Sequence, residues 1–323
     1  MYSLTKTPLS LADAQEMVSF HFGSSVKIID YQELTDGFYN SAYILQTSDL
    51  AKWVIKISPH PSVNVMRYEK DILRAEVEVL NLVKARTDLP VPATLIHDYT
   101  HSILENDYFI MEFIGGVTLN KIRESLTAAE AKGIDEKTGQ VLRMVNSIKG
   151  DRFGYFSHPE SPESSWPDTF EKMIRGVLLD GQEKDVSLPY SYDEIFSRIA
   201  SQFLALDEVV TPQLVHWDLW DGNIFIDPVT RQITGMIDFE RALWADPLME
   251  ANFGAFGINP DFLAGYGVEM LGTQNRQKRR SIYNIYLYLI MVIECTFRKY
   301  ENDQQEKWAR QKLFDELELL AAL

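Results

Sequence analysis

The sequence predicts an α+β chain of two lobes, a strand-rich first lobe followed by a larger and mainly helical second one. Three observations predict it. The 323 residues exceed the usual size of one domain. Strand-like runs crowd the first third, and helical patterns fill most of the rest.

The elements follow in order. Ser10–Phe22 reads as a helix, with Ser10 and Asp13 making its start and Gly23 its stop. Strands are expected over Val26–Tyr31, Ala42–Gln46 and Lys52–Ile57, the last two joined by a short Thr47–Ala51 turn. A long helical pattern covers Met66–Ala85. Two more strands are expected at Ala93–His97 and Tyr108–Phe113, before the pair Gly115-Gly116. The lobe boundary is placed between residues 113 and 114, giving segments 1–113 and 114–323. The stretch Asp151–Tyr192, rich in Pro, Ser and Glu, reads as a long and partly irregular excursion.

Composition narrows the partners. Hydrophobic residues make up 46% of the chain, enough for a sizeable core. The 47 acidic residues outnumber 31 basic ones, for a formal charge of -16, which would repel nucleic acid and anionic membranes. A lone cysteine, Cys295, excludes an internal disulfide and a cysteine-based zinc cluster. Its apolar surroundings suggest a buried, inert thiol. The stretch MYSLTKTPLSLADAQEM has no continuous apolar core of a secretory signal, and the run from Ser281 is interrupted by Asn284 and Glu294. A cytoplasmic protein, monomeric or a homodimer, is expected.

The chemistry concentrates in VHWDLWDGNIFID, Val215–Asp227. Here His216, Asp218 and Asn223 stand in the spacing H-x-D-L-x-x-x-N. Strands Ile224–Ile226 and Ile233–Ile237, joined by a DPVTRQ turn, bring Asp238 back beside Asn223. This is the order of a kinase catalytic loop followed by its metal-binding aspartate. Phosphoryl transfer needs one carboxylate to orient the attacking hydroxyl and accept its proton. It needs a second carboxylate and an amide oxygen to hold magnesium against the phosphates. An aspartate of ordinary acidity suffices for the first task. Upstream, the strand WVIKI carries Lys56 where a kinase has its phosphate lysine. The next helix must offer an inward acid, and Glu76 lies at helical intervals from Leu73, Leu80 and Val83. Glu69, one heptad earlier, is the second choice.

With these motifs in place, the chain resembles the aminoglycoside phosphotransferase and choline kinase group of small-molecule kinases. DGFYNSAYIL, WVIKI, ILRAEVEVL, DLPVP, DYFIMEFIGG, HWDLWDGNIFI and MIDFERALWADP carry the resemblance over most of the chain. It implies a bilobal protein-kinase-like fold, with a small antiparallel sheet lobe and ATP, or GTP as the alternative donor, bound between the lobes. By that likeness Asp218 is the catalytic base, Asn223 and Asp238 bind Mg2+, and Lys56 with Glu76 positions the phosphates. Glu112 and Ile114 hold the purine through backbone groups, and Ser41 with the Asn40 backbone serves the phosphate loop.

Departures from the pattern sharpen the expectation. The phosphate loop, Asp36–Ala42, has a single glycine, and Trp217 replaces a glycine frequent in this group. Phe239-Glu240 follows the metal aspartate, and ADPLMEANF comes at once, leaving no room for the long segment on which a peptide substrate lies. A small-molecule hydroxyl acceptor is therefore expected. Cationic amino sugars come first, since Asp180, Glu183, Asp185, Glu240, Glu294 and Glu301 are acidic candidates for binding them. Choline, ethanolamine or another hydroxylated metabolite is the alternative, with Trp217, Trp220 and Trp244 as a candidate cation–π cage for choline against plain packing. A nucleotide-binding pseudokinase is the alternative of another class, opposed by the intact Lys56, Asp218, Asn223 and Asp238. His216 is read as a structural brace, Asp221 as a turn residue, Asp246 as a helix cap before Pro247, and Arg276–Arg280 as a solvated helix start.

Overall fold

The structure, a computed structural model, describes residues 4–37, 39–157, 165–267, 272–300 and 302–323. Ser10 caps the first helix, α1 (Leu11–Phe22), by accepting the Asp13 amide, and Gly23 ends it with a φ of 95°. Then come β1 (Ile28–Leu34), β2 (Ser41–Thr47), β3 (Lys52–Ile57), α2 (Ile72–Arg86), β4 (Thr94–Asp98) and β5 (Tyr108–Glu112). The five strands make one sheet in the order β1-β2-β3-β5-β4, antiparallel at every pairing.

The central strand β3 has both faces covered. Side chains alternate along a strand, so Ile55 and Ile57 point one way, Val54 and Lys56 the other. Ile55 and Ile57 join Met17, Val18, Leu45 and Ile110 beneath α1. Val54 joins Leu73, Val77, Leu80 and Val83 of α2, together with Phe109 and Met111. Lys56 is thereby aimed at the α2 side of a dry interior, where a charge persists only if paired.

The second lobe starts at β6 (Val117–Thr118) and continues through α3 (Leu119–Ile122) and α4 (Ala128–Asn146). It then runs through β7 (Gly154–Tyr155), α5 (Trp166–Glu183), α6 (Tyr192–Ala200) and β8 (Gln213–Val215). Beyond the His216 motif lie β9 (Ile224–Ile226), β10 (Ile233–Met236), β11 (Leu243–Ala245), β12 (Phe253–Gly254) and β13 (Gly257–Ile258). Helices α7 (Pro260–Tyr266), α8 (Gln274–Arg298) and α9 (Gln304–Ala322) complete the lobe. β9 pairs with β10 as the motif spacing predicted, and β6 pairs with β9 on its other side. The segment leaving the first lobe is thus stitched to the hairpin that delivers Asp238. From Arg279 to Arg298, α8 is buried on nearly all sides, as befits the axis of a lobe core. No helix among the described residues is long and apolar enough to cross a membrane.

Three expectations need correction. The helix expected over Met66–Ala85 is a 3-10 turn, Arg67–Glu69, followed by α2, because Asp71 takes a left-handed φ of 58° between them. The excursion is far more regular than its composition suggested. Most of its Pro and Ser residues lie ahead of α5 or in its first turn, and α5 starts with a Ser165 cap and buries Phe170, Ile174 and Val177. The basic run is no solvated start, since Arg279 pairs with Asp246 and Arg280 donates to the carbonyls of Leu248 and Glu250.

Helices α4 and α7 meet at glycines. A Cβ on Gly265 would lie 1.8 Å from the Glu136 carbonyl oxygen, and one on Gly139 would lie 2.1 Å from that of Phe262. Both obstacles are backbone and cannot turn aside. Gly265→Ala should therefore lower the thermal unfolding midpoint, at a cost of about 1–3 kcal/mol typical of overpacking. An unmoved midpoint would mean that the two helices can part freely.

Candidate active site

Lys56 is the centre of a cluster of carboxylates. Its ammonium donates to Glu76 Oε2 at 2.5 Å and to Glu240 Oε2 at 3.2 Å, and it also touches Asp238 Oδ1. Burial opposes the charge, but Asp238, Glu76 and Glu240 together hold the lysine pKa well above its ordinary value. Burial pushes Glu76 up against the pull of Lys56. It opposes ionisation of Asp238 too, yet the neighbouring ammonium holds that carboxyl below its ordinary value. Glu76 is the inward acid that helical spacing selected. Glu69 is not: its carboxylate caps the Met66 amide and pairs with Arg298 of α8.

Three carboxylates on one ammonium leave an excess of negative charge. Oxygens of Glu76, Asp238 and Glu240 lie within 4.8 Å of one another, and Glu76 Oε1 is buried without a partner. An all-oxygen donor set with surplus charge fits a hard cation such as Mg2+. Asn223 stands on the adjoining loop and is held in one orientation. Its amide nitrogen donates to the Asp218 carbonyl at 2.8 Å, which leaves the side-chain oxygen outside that bond. The Ile237 amide donates to the Asn223 carbonyl at 3.2 Å, tying the loop to the residue before Asp238. Asp238 itself has a φ of 70°, a left-handed backbone that non-glycine residues adopt at a cost.

The loop of Asp218 is braced from below. His216 is fully buried, its Nδ1 accepts the Asp218 amide at 3.2 Å, and its Nε2 faces the Ile237 carbonyl at 3.1 Å. Burial pushes its pKa down to about 4, so the ring is neutral and carries its proton on Nε2. Glu250 accepts the amides of His216 and Trp217, each at 2.8 Å, and the Asn146 side chain at 2.9 Å. Trp217 has a φ of 64°, which explains why glycine suits this position in related loops. Its indole stacks on Tyr286 with ring centres 5.5 Å apart.

Asp218 stands half-buried beside a group that no sequence motif signals. Burial pushes its carboxyl up to about 7, tempered by the nearby Arg241. That is less acidic than the ordinary aspartate expected. The Arg241 guanidinium lies above the Tyr68 ring, 5.8 Å from its centre, and 3.5 Å from Glu294 Oε2. Arg241 is two residues past Phe239, in the run DFER, and only its position in the fold distinguishes it from a surface arginine.

The remaining predicted residues are less uniformly placed. Asn40 reaches the cluster, its side-chain nitrogen donating to Glu240 Oε2 at 2.5 Å, while its carbonyl accepts from Lys6. The Ser41 hydroxyl is taken up by the Thr7 amide at 2.8 Å. Glu112 donates its backbone N–H to the Ala93 carbonyl at 3.0 Å. Ile114 lies on Gly235, where a Cβ would come within 2.5 Å of it. The acidic acceptor candidates are mostly engaged: Asp180 and Glu183 with Arg67, Glu294 with Arg241 and Arg298. Glu301 lies outside the described residues. The tryptophans form no cage, because Trp217 stacks on Tyr286, Trp244 stacks on Phe156, and Trp220 covers Gly222. Asp221 is more than a turn residue, since it takes a bidentate pair from Arg123 at 2.7 Å. Asp246 caps the Pro247 turn as expected and also holds Arg279. Burial pushes the Cys295 thiol up to about 12, consistent with an inert group.

A sheet lobe and a helical lobe meeting at a paired lysine define a phosphotransferase with a protein-kinase-like fold. Residues 30–279 match the sequence model of the phosphotransferase enzyme family, and the chain belongs to that family as a small-molecule kinase. It is 24% identical over 271 residues to a probable ketoamine kinase of Vibrio vulnificus, covering 81% of this chain and 85% of the relative. A second relative of the same description, from Vibrio parahaemolyticus, is 24% identical over 283 residues, with 81% and 88% covered. Among solved structures, the aminoglycoside phosphotransferase APH(4)-Ia in complex with AMP-PNP and hygromycin B superposes with a TM-score of 0.66. It is 17% identical, with 96% of this chain and all of that chain covered. A candidate fructosamine-3-kinase from Thermobifida fusca gives a TM-score of 0.66 at 16% identity, covering 96% and 98%.

The brace on the loop is open to test. Glu250→Gln keeps the shape but sets an amide N–H against one of two backbone N–H donors. The variant should lose about 1–3 kcal/mol of stability, the usual consequence of an unsatisfied buried donor, and should lose turnover with it. Wild-type melting and wild-type turnover in this variant would show that the loop holds itself.

Proposed function

We propose that the protein transfers the γ-phosphate of ATP to a hydroxyl of a small sugar–amine adduct of the ketoamine type. Asp218 is the catalytic base, Lys56 held by Glu76 positions the phosphates, and Asn223 with Asp238 holds Mg2+. The two Vibrio relatives named as ketoamine kinases, and the AMP-PNP in the APH(4)-Ia complex, support the substrate class and the donor. The lobes divide between residues 113 and 114, with the purine against the backbone of Glu112 and Ile114 and the phosphates against Asn40 and Ser41.

The observation that carries the acceptor class is the pairing of both charges beside Asp218. Arg241 and Glu294 stand 3.5 Å apart there, and the acceptor candidates Asp180 and Glu183 are already matched by Arg67. A polycationic antibiotic would find few free carboxylates and would meet Arg241. An adduct with one amine and one carboxylate presents a charge to each partner. The packing of Trp217, Trp220 and Trp244 against other groups removes the support those tryptophans gave to choline.

Asp218 accepts the proton of the acceptor hydroxyl as that oxygen attacks the γ-phosphorus and the bond from phosphorus to the β-phosphate oxygen breaks, releasing ADP. The neutral His216 and the Glu250 brace keep its carboxylate on line, and Arg241 favours its ionised form. Mg2+, when bound, supplies charge neutralisation to the phosphates. Phosphorylation of a panel of ketoamines, aminoglycosides and choline, each with ATP and GTP, tests the assignment. Turnover of ketoamines above the others is expected, and an aminoglycoside preferred over every ketoamine would overturn it.

The base makes its own prediction. Asp218→Asn should fold and bind nucleotide nearly normally while turnover falls by about two to four orders of magnitude, the scale of general-base loss. In the wild type, kcat/KM should rise with pH as the carboxyl ionises, with a midpoint near the value of about 7 that burial imposes. A flat profile from about pH 5 to 8, the range in which such a group titrates, would remove Asp218 from that role.

A further inference from the structure

The phosphate loop of this chain has an unexplained visitor. Residues ahead of α1 run along the loop and β2 as a strap. The Thr7 amide donates to Ser41 Oγ at 2.8 Å, and the Leu9 amide donates to the Tyr43 hydroxyl at 3.0 Å. The Tyr31 hydroxyl donates to the Leu9 carbonyl at 2.7 Å, the Thr7 hydroxyl to the Ser58 carbonyl at 3.1 Å, and Asn106 to Thr7 Oγ1 at 3.1 Å. Leu9 is buried in the core under α1. A strap held at this many points sets the direction of the residue before it. That residue is Lys6, and its ammonium lies 2.5 Å from the Asn40 carbonyl oxygen. A Cβ on Gly37 would lie 3.5 Å from the same nitrogen, so the ammonium rests over the loop's only glycine.

We propose that Lys6 is a second phosphate lysine for the nucleotide, delivered to the phosphate loop by this strap. The inference rests on the nucleotide site proposed above. Two arguments carry it. The first is charge. Lys56 is outnumbered by Glu76, Asp238 and Glu240, so the lysine alone cannot offset a polyphosphate placed beside that cluster. Lys6 adds a cation on the loop side, within electrostatic reach of Glu240, Asp238 and Lys56. The second is the loop itself. A glycine-rich run lets backbone N–H groups face the phosphates, and a loop with one glycine has fewer such conformations. The Asn40 carbonyl, which would repel a phosphate, is covered by the ammonium. The Asn40 carbonyl is the one hydrogen-bond acceptor of the Lys6 ammonium among the described residues, so protons remain on the nitrogen for a phosphate oxygen.

Titration calorimetry on the full chain with magnesium, using ATP and adenosine as probes, distinguishes charge from scaffolding. Lys6→Met keeps the aliphatic stem, Lys6→Gln keeps a neutral donor for Asn40, and Lys6→Arg keeps the charge. We expect Lys6→Met and Lys6→Gln to weaken ATP binding by roughly ten- to hundredfold, the worth of one hydrogen bond to a charged group. Adenosine affinity should stay within about twofold of wild type, and Lys6→Arg should retain most ATP affinity. Wild-type ATP binding by Lys6→Gln would overturn the proposal, since the residue then serves only to tie the strap. Equal loss of ATP and adenosine binding would overturn it as well. A wild-type protein that binds ATP ties either result to Lys6 alone, whereas one that binds no ATP would overturn the nucleotide-site reading and this proposal together.

Discussion

The buried ammonium of Lys56 is the contact on which the arrangement depends. It is placed by strand alternation on the face of β3 that looks toward α2, and it is kept charged by three carboxylates from two different parts of the chain. Glu76 comes from the sheet lobe, while Asp238 and Glu240 come from the helical lobe. One side chain therefore ties the two lobes together at the site. Removing any single carboxylate would still leave the lysine paired, but removing the lysine would leave Glu76 and Glu240 buried and crowded against the half-buried Asp238 with no cation between them, which costs more than a surface ion pair contributes.

Around this contact the helical lobe acts as a mount. Arg280 of α8 donates to the carbonyls of Leu248 and Glu250. Glu250 in turn holds the amides of His216 and Trp217. The loop of Asp218 is thus anchored, through two intermediaries, to the most deeply buried helix of the protein. That anchoring accounts for the left-handed backbone at Trp217: a strained residue persists where its surroundings leave no alternative.

Much of this was legible in the sequence because the signals were local. The strand-like run WVIKI marked β3, the turn between Ile226 and Ile233 exposed a hairpin, and helical intervals picked Glu76 over its neighbours. What escaped depended on distant partners. Arg279 and Arg280 read as solvated until Asp246 and the 248–250 turn were brought against them. Glu69 shared a heptad with Glu76, but the single left-handed Asp71 rotated it onto another helix. α5 was hidden by the prolines and serines that open it. Arg241, Glu250 and Lys6 carry no motif, and their place beside the loop arises only when distant chain segments converge.

The turn ahead of α2 has one more consequence. The Arg67 amide donates to Asp180 at 2.9 Å, its guanidinium pairs with Glu183 at 2.6 Å, and Glu69 is locked to Arg298. These bonds fasten the entry of α2 to α5 and α8 of the other lobe. In protein kinases the placement of the equivalent helix is a point of control. Here a swing of that helix would first have to break these ion pairs, the Glu69–Arg298 pair being fully buried, so the entry of α2 is tied to the helical lobe independently of the lysine that ties its middle.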